Sequence, residues 1–226
     1  MPCKSAIIVQ ARMSSTRFPN KVLYEVAGKP LLGYLLDRLR TIEKCGDLIV
    51  ATSKESSDDA LEEYCQVEGL RCFRGSLDNV AQRFLDVMST YHYGAAIRIS
   101  GDSPLLDPAI VQRAWQFFEE KKVDIVTNVQ KRTFPPGQSV EVFSYTALNR
   151  AVDEMRDQED REHVTSYFYK HPEDFEIYNV ESIQDFSSTR MVVDSPDDMV
   201  SFEKVVSVMK KDPASYGLNE LMAFYL

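Results

Sequence analysis

A chain of 226 residues can bury one substantial core, and 44% hydrophobic with 27% charged residues is a folded-protein balance that excludes disorder. Lys and Arg number 26 against 35 Asp and Glu, a net charge of −9, so non-specific attraction to nucleic acid or to an anionic membrane is not expected. No apolar run approaches the ~20 residues that cross a bilayer, the N-terminal MPCKSAIIVQAR is too short in apolar length for a signal peptide, and Cys3, Cys45, Cys65 and Cys72 lack CxxC or zinc spacing, all of which predicts a cytoplasmic protein with reduced thiols.

Short apolar runs alternate with amphipathic helical patterns, which predicts βα units around a largely parallel sheet. Residues 6–10 (AIIVQ) read as a buried strand. Residues 30–40 read as a helix with proline near its start and a stripe of Leu31, Leu32, Leu35, Leu36 and Leu39. Residues 48–52 (LIVAT) form the second strand, followed by a helix over 58–67 capped by Ser57 or Asp58. A short strand at 70–73 precedes a helix capped by Ser76 and carrying Val80, Phe84, Val87, Met88 and Tyr91. Residues 95–100 (AAIRIS) make the fourth strand, ending at Gly101-Asp102. Asp107 caps the next helix, Pro108 opens it, and Ile110, Val111, Ala114, Trp115 and Phe118 line its buried face.

Strands are predicted at 123–129 and 139–143, the latter running into a helix with Ala147, Leu148, Ala151, Val152 and Met155 inward. Residues 160–169 read as helical, 175–180 as extended and 190–193 as a last strand. The final clear helix carries Met199, Phe202, Val205, Val206 and Met209, and Asn219 caps a short C-terminal turn. With no repeat, low-complexity tract or linker, the expectation is one domain over residues 1–226.

Ligands of open α/β sheets bind beyond the carboxyl ends of the strands. After the first strand comes QARMSSTRFPNK, residues 10–21, with Ser14, Ser15, Thr16, Arg12, Arg17 and Lys21 in twelve positions. Residues 1–24 contain Lys4, Arg12, Arg17 and Lys21 but no Asp or Glu; they carry +4, so the remainder carries −13. Forked guanidiniums, a mobile ammonium and main-chain amides suit phosphate oxygens. The loop is neither a Walker A motif nor a GxGxxG fingerprint. The competing reading is a polar surface loop. Two aspartates end later strands, each followed by Ser-Pro: Gly101-Asp102-Ser103-Pro104 and Val193-Asp194-Ser195-Pro196. Together they could hold a hard cation through oxygen; each alone could equally be a turn or helix-cap residue.

The stretch IIVQARMSSTRFPNKVLYEVAGKPLLGYLLDRL resembles the N-terminus of the cytidylyltransferases that make CMP-sialic acid and CMP-Kdo, and more closely the spore coat polysaccharide biosynthesis protein F branch. TSKESSDDAL, RGSLDNVAQRF, RISGDSPLLDP, VEVFSYTAL, DREHVTSYFYKHPEDF and VVDSPDD continue the likeness in order to about residue 200. The resemblance implies an α/β, three-layer α/β/α nucleotide-diphosphosugar-transferase (GT-A-like) fold with a mostly parallel sheet. It further implies CTP as donor, Mg²⁺ as cofactor, a sugar acid as acceptor and a homodimer. By motif position, Arg12 and Lys21 correspond to triphosphate-binding residues, Ala11 and Ser15 to the loop at the nucleotide, and Arg74 to a contact near the base. Arg17 and Gly101 complete the nucleotide set, and Asp102 and Asp194 correspond to the metal-binding aspartates. The branch's Gly-Leu-Asp before VEVF is replaced by Gly137-Gln138-Ser139 here, which implies an altered acceptor or weak activity.

The implied reaction is attack of a sugar hydroxyl on the α-phosphorus of CTP with loss of pyrophosphate, work that needs positioning and charge neutralisation. Arg12, Lys21 and Asp102 are the expected catalytic groups. Arg161 and His163 are the candidates for the acceptor carboxylate and Glu141 for a hydroxyl; a solvated helix face for Arg161 and a structural role for His163 are the competing readings. Residues 133–142 are a candidate projecting arm for dimerisation. Two other functions stay open: a sugar-nucleotide-dependent glycosyltransferase on the same fold, and a non-catalytic nucleotide-binding protein.

Overall fold

The computed structural model describes residues 4–225, which leaves the predicted thiol of Cys3 outside the described residues. In chain order, strand β1 (Ser5–Gln10) leads through the polar loop to a small hairpin, β2 (Glu25–Val26) and β3 (Lys29–Pro30), and then helix α1 (Leu31–Arg40). Next come β4 (Asp47–Ser53), α2 (Asp59–Val67), β5 (Arg71–Gly75), α3 (Val80–Tyr91), β6 (Ala95–Ser100) and α4 (Pro108–Lys121). The second half holds β7 (Ile125–Thr127), β8 (Glu141–Ser144), α5 (Tyr145–Glu154), α6 (Gln158–Glu162), α7 (Ser166–Lys170), β9 (Ile177–Asn179), α8 (Pro196–Val208) and α9 (Leu218–Tyr225).

Seven strands form one sheet in the order β5-β4-β1-β6-β8-β7-β9. Only β8 runs against its neighbours, pairing antiparallel with β6 and β7, while the other pairings are parallel. The mostly parallel expectation therefore stands. Because both sheet faces are covered, the strands read as continuous apolar runs rather than alternating ones. Alternate residues of β1 go to opposite layers: Ile7 and Val9 pack with α1, α4, α8 and α9, whereas Ala6 and Ile8 pack with α3 and α5. Each buried Val or Ile among them contributes about 1.5–3 kcal/mol relative to exposure.

Several boundaries differ from the sequence reading, each for a local reason. Helix α3 is capped by Asn79, whose side chain accepts from the Gln82 N–H; Ser76 instead accepts from Asn79 N–H one step earlier. The helix predicted over 160–169 is two short helices, broken where Val164 takes a left-handed φ of 47° that a β-branched residue rarely adopts. Residues 190–193 are not a strand of the sheet. They run extended, tied by the Met191 N–H to the Pro136 carbonyl and by the Val193 N–H to the Asp102 carbonyl. Asn219 lies inside α9 and does not cap it; the Leu218 N–H donates instead to buried Asp107, which also caps α4.

The 133–142 segment does not project. Phe134, Gln138 and Val140 are buried, and the Gln138 side chain bridges the Leu105 carbonyl and the Asp107 N–H. At Gly137, with φ of 102°, a Cβ would sit 2.5 Å from the Met191 carbonyl carbon, so only glycine lets the two segments meet.

Candidate functional site

The carboxyl ends of β1, β4 and β6 lie together because the three strands are parallel neighbours. The loop leaving β1 is pinned from beneath rather than left to float. The Met13 N–H donates to buried Asp58 at 2.7 Å, and Asp58 also accepts from the Thr52 hydroxyl and from the amide and hydroxyl of Ser53. Burial pushes this carboxyl up, but the hydrogen bonds from Ser53, Met13 and Thr52 outweigh it and hold Asp58 below the usual carboxylate range. The loop closes where the Asn20 N–H meets the Met13 carbonyl, with Asn20 in the left-handed region that asparagine tolerates. A single 3₁₀ turn, Lys21–Leu23, then buries Lys21.

Lys21 is the hub. Its ammonium donates to Asp102 Oδ2 at 3.0 Å, to Asp194 Oδ1 at 2.8 Å and to the Val193 carbonyl at 2.9 Å, which uses all three protons. Asp194 is further held by Arg17 and Arg190, both at 3.2 Å. Desolvation raises the Asp194 carboxyl, and Lys21 and Arg17 more than offset it, so the group stays ionised well below neutral pH. Asp102 comes close to the loop because Gly101 has no side chain: a Cβ there would sit 2.9 Å from that of Ala11. Above this hub lies a cavity of about 250 Å³ lined by Ala11, Arg12, Ser15, Thr16, Arg17, Lys21, Arg98, Asp102, Glu162, His163 and Asp194, among others. Arg12 reaches Glu162 at 3.2 Å.

A second cavity of about 380 Å³ adjoins the first, sharing Arg98, Ser100, Asp102 and His163 with it. Its inner wall is Glu141, only 3% exposed, which lies directly opposite Arg98 in the β6–β8 register and forms an ion pair with it. The other carboxylate oxygen accepts from the Thr165 hydroxyl at 2.6 Å and from Tyr169 at 2.5 Å. Burial first, and the Glu141 charge second, push the Tyr169 hydroxyl far above its ordinary pKa, so it remains a donor at any physiological pH. Arg132, Ser139 and Ser166 complete the polar lining.

Eight of the sequence-derived candidates therefore share the first cavity: Ala11, Arg12, Ser15, Arg17, Lys21, Asp102, His163 and Asp194. Glu141 lines the second, and exposed His163 borders both. Gly101 contributes packing under the loop and is not itself part of the lining. Arg74 and Arg161 line neither cavity; Arg74 is tied to the Ser53 and Glu55 carbonyls and to Asp59 and Glu62. The site residues missed are Asp58, Arg98, Arg132, Thr165 and Tyr169. Only Arg98 carried a signal, a charge in the otherwise apolar strand AAIRIS.

A family model described as cytidylyltransferase matches residues 6–225. The chain belongs to the cytidylyltransferase family. Among the family's curated members, spore coat polysaccharide biosynthesis protein SpsF of Bacillus subtilis is 32% identical over 202 residues, covering 87% of this chain and 83% of that protein. The 3-deoxy-manno-octulosonate cytidylyltransferase of Brucella anthropi is 29% identical over 126 residues, 55% of this chain and 50% of its own. A solved cytidylyltransferase from Leptospira borgpetersenii superposes with a TM-score of 0.93 at 29% identity, covering 98% of this chain and 93% of that one. The family likeness, like the sheet order, bears out the expected three-layer nucleotidyltransferase architecture. Among the described residues, no helix is long and apolar enough to cross a membrane.

Proposed function

We propose that this cytidylyltransferase transfers CMP from CTP to a keto-sugar acid of the nonulosonate or Kdo type, releasing pyrophosphate, in surface polysaccharide synthesis. The observation that carries the reading is the junction at Asp102: a cation-rich cavity shares a wall with a hydroxyl- and carboxylate-lined one. A triphosphate fits the first, where Arg12, Arg17 and Lys21 would offset its charge and that of the leaving pyrophosphate. A polyhydroxylated acceptor fits the second, with its attacking hydroxyl near the shared wall. The names of the SpsF and 3-deoxy-manno-octulosonate relatives support the polysaccharide and sugar-acid assignments.

Mg²⁺ belongs to the same proposal, and the donor set suits it. Asp102 and Asp194 both reach a single point, the Lys21 ammonium, so their oxygens can converge on one hard cation, and Mg²⁺ commonly takes one or two carboxylates beside phosphate oxygens. When bound, the ion would neutralise phosphate charge. Lys21, for its part, keeps the two aspartates from repelling each other and presents a cation to the phosphates.

The test supplies CTP, Mg²⁺ and a panel of keto-sugar acids and measures pyrophosphate. Release that depends on the acid is expected. CTP binding with no release for any acid would leave a non-catalytic nucleotide binder, and transfer from a sugar nucleotide would instead mark a glycosyltransferase.

A further inference from the structure

The second cavity has four charged lining residues besides His163, and three of them are already matched. Glu141 is saturated by Arg98, Thr165 and Tyr169, and Asp102 is paired with Lys21. Arg132 is the exception. Among the described residues it has no carboxylate within ion-pair distance, and its one hydrogen bond is from Nη1 to the neutral Ser139 hydroxyl at 3.1 Å. A guanidinium offers five N–H donors in a planar fork, so most of its capacity faces the cavity unmatched. It is also half-buried, and desolvation lowers its pKa despite the nearby Glu141 charge. A desolvated cation with one neutral partner, in the wall of a cavity whose other charges are neutralised, is a built receptor for an anion.

We infer that Arg132 binds the carboxylate of the acceptor, and that Ser139 keeps it available by putting a hydroxyl where a carboxylate would quench it. This rests on the sugar-acid reading above and names the group that recognises the acid. It replaces Arg161, which lines neither cavity, in that role. Gln138 takes no part, since its side chain is spent on the Leu105 carbonyl and the Asp107 N–H behind the wall.

The test uses the full chain with CTP, Mg²⁺ and two probes, 3-deoxy-manno-octulosonate and N-acetylneuraminate, each also supplied as its methyl ester. The variants are Arg132→Gln and Ser139→Asp, with Arg132→Lys as the conservative control and thermal melts to verify folding. A lost charge-assisted hydrogen bond corresponds to about a 10- to 100-fold effect. The expected result is a rise of that size in KM for the free acid in both Arg132→Gln and Ser139→Asp, with the affinity for CTP, read by calorimetry, within twofold of wild type. Arg132→Lys should recover part of the loss, and the ester, poor with wild type, should show little further penalty in the variants. An unchanged acid KM, or a parallel loss of CTP affinity, overturns the Arg132 assignment while the parent reading survives on wild-type turnover. Wild-type protein that binds CTP yet turns over neither acid overturns both, as does turnover of a sugar phosphate with the same Arg132 dependence.

Discussion

The two cavities that meet at Asp102 are built on opposite electrostatic plans. On the loop side every lining Lys and Arg has a carboxylate partner: Lys21 with Asp102 and Asp194, Arg17 with Asp194, Arg12 with Glu162, and Arg98, on the shared wall, with Glu141. On the proposed reading a polyphosphate entering there would exchange partners with these carboxylates, and without it the protein bears no cluster of unpaired positive charge on this side. Across the wall the saturated group is an anion, Glu141, and the unmatched one is a cation, Arg132. The difference teaches that the first pocket is held together by its own charges, whereas the second is braced by a largely buried ion pair and leaves one cation without an ion partner.

Lys21→Ala is the sharpest way to break this contrast. It strips the shared partner from Asp102 and Asp194, and turnover should fall by about 10²–10³ in pyrophosphate release, the range seen when one preorganised donor is lost. Unchanged turnover would end the case for the loop-side cavity as the nucleotide site. Glu141→Leu attacks the other side. Arg98 then loses the one carboxylate it pairs with among the described residues, in a mostly buried position, and denaturant titration should register a loss of about 3 kcal/mol.

Asp58→Asn tests whether the loop is positioned from below. The hydrogen bonds to Met13 and Ser53 weaken, costing about 1–3 kcal/mol, and KM for CTP should rise while KM for the acceptor does not. The same residue sets an acid limb. Asp58 and Asp198 both have native values below the ordinary carboxylate pKa, Asp198 chiefly through Arg190. Their stabilisation is complete above the unfolded value of about 4 and is lost as pH falls below it toward the native values. Urea midpoints should therefore be flat from about pH 7 to 5 and drop below about 4, and Asp58→Asn should shallow that drop. Arg17→Ala is the mildest change: the side chain is 68% exposed, its pairing is worth about 0.2–1 kcal/mol, and KM for CTP should shift by less than about fivefold, less still at high salt.

Much of this molecule was legible residue by residue. The apolar run of β1, the leucine stripe of α1 and the Asp107-Pro108 start of α4 all appear where local pattern put them. So did the cationic loop and Asp102 just past the end of β6, because residue type within a short window carries that signal; Asp194 reaches the same site from a segment outside the sheet. The tip of the second cavity was harder. Arg132 and Tyr169 sit in segments whose local pattern reads as loop and helix, and nothing nearby in sequence marks them as facing a ligand.

What the amino-acid order determined by itself was the set of elements and the chemistry available at the end of β1, since helix and strand periodicities and loop composition depend on near neighbours. What only the tertiary structure decided was which charges meet. Lys21 and Asp194 are 173 positions apart, Arg98 and Glu141 are 43, and the second pair exists because one strand inserts antiparallel into a parallel sheet. Register, chain reversal and the break at Val164 arise from packing between distant segments, and electrostatic pairing over a few ångströms follows from those alone.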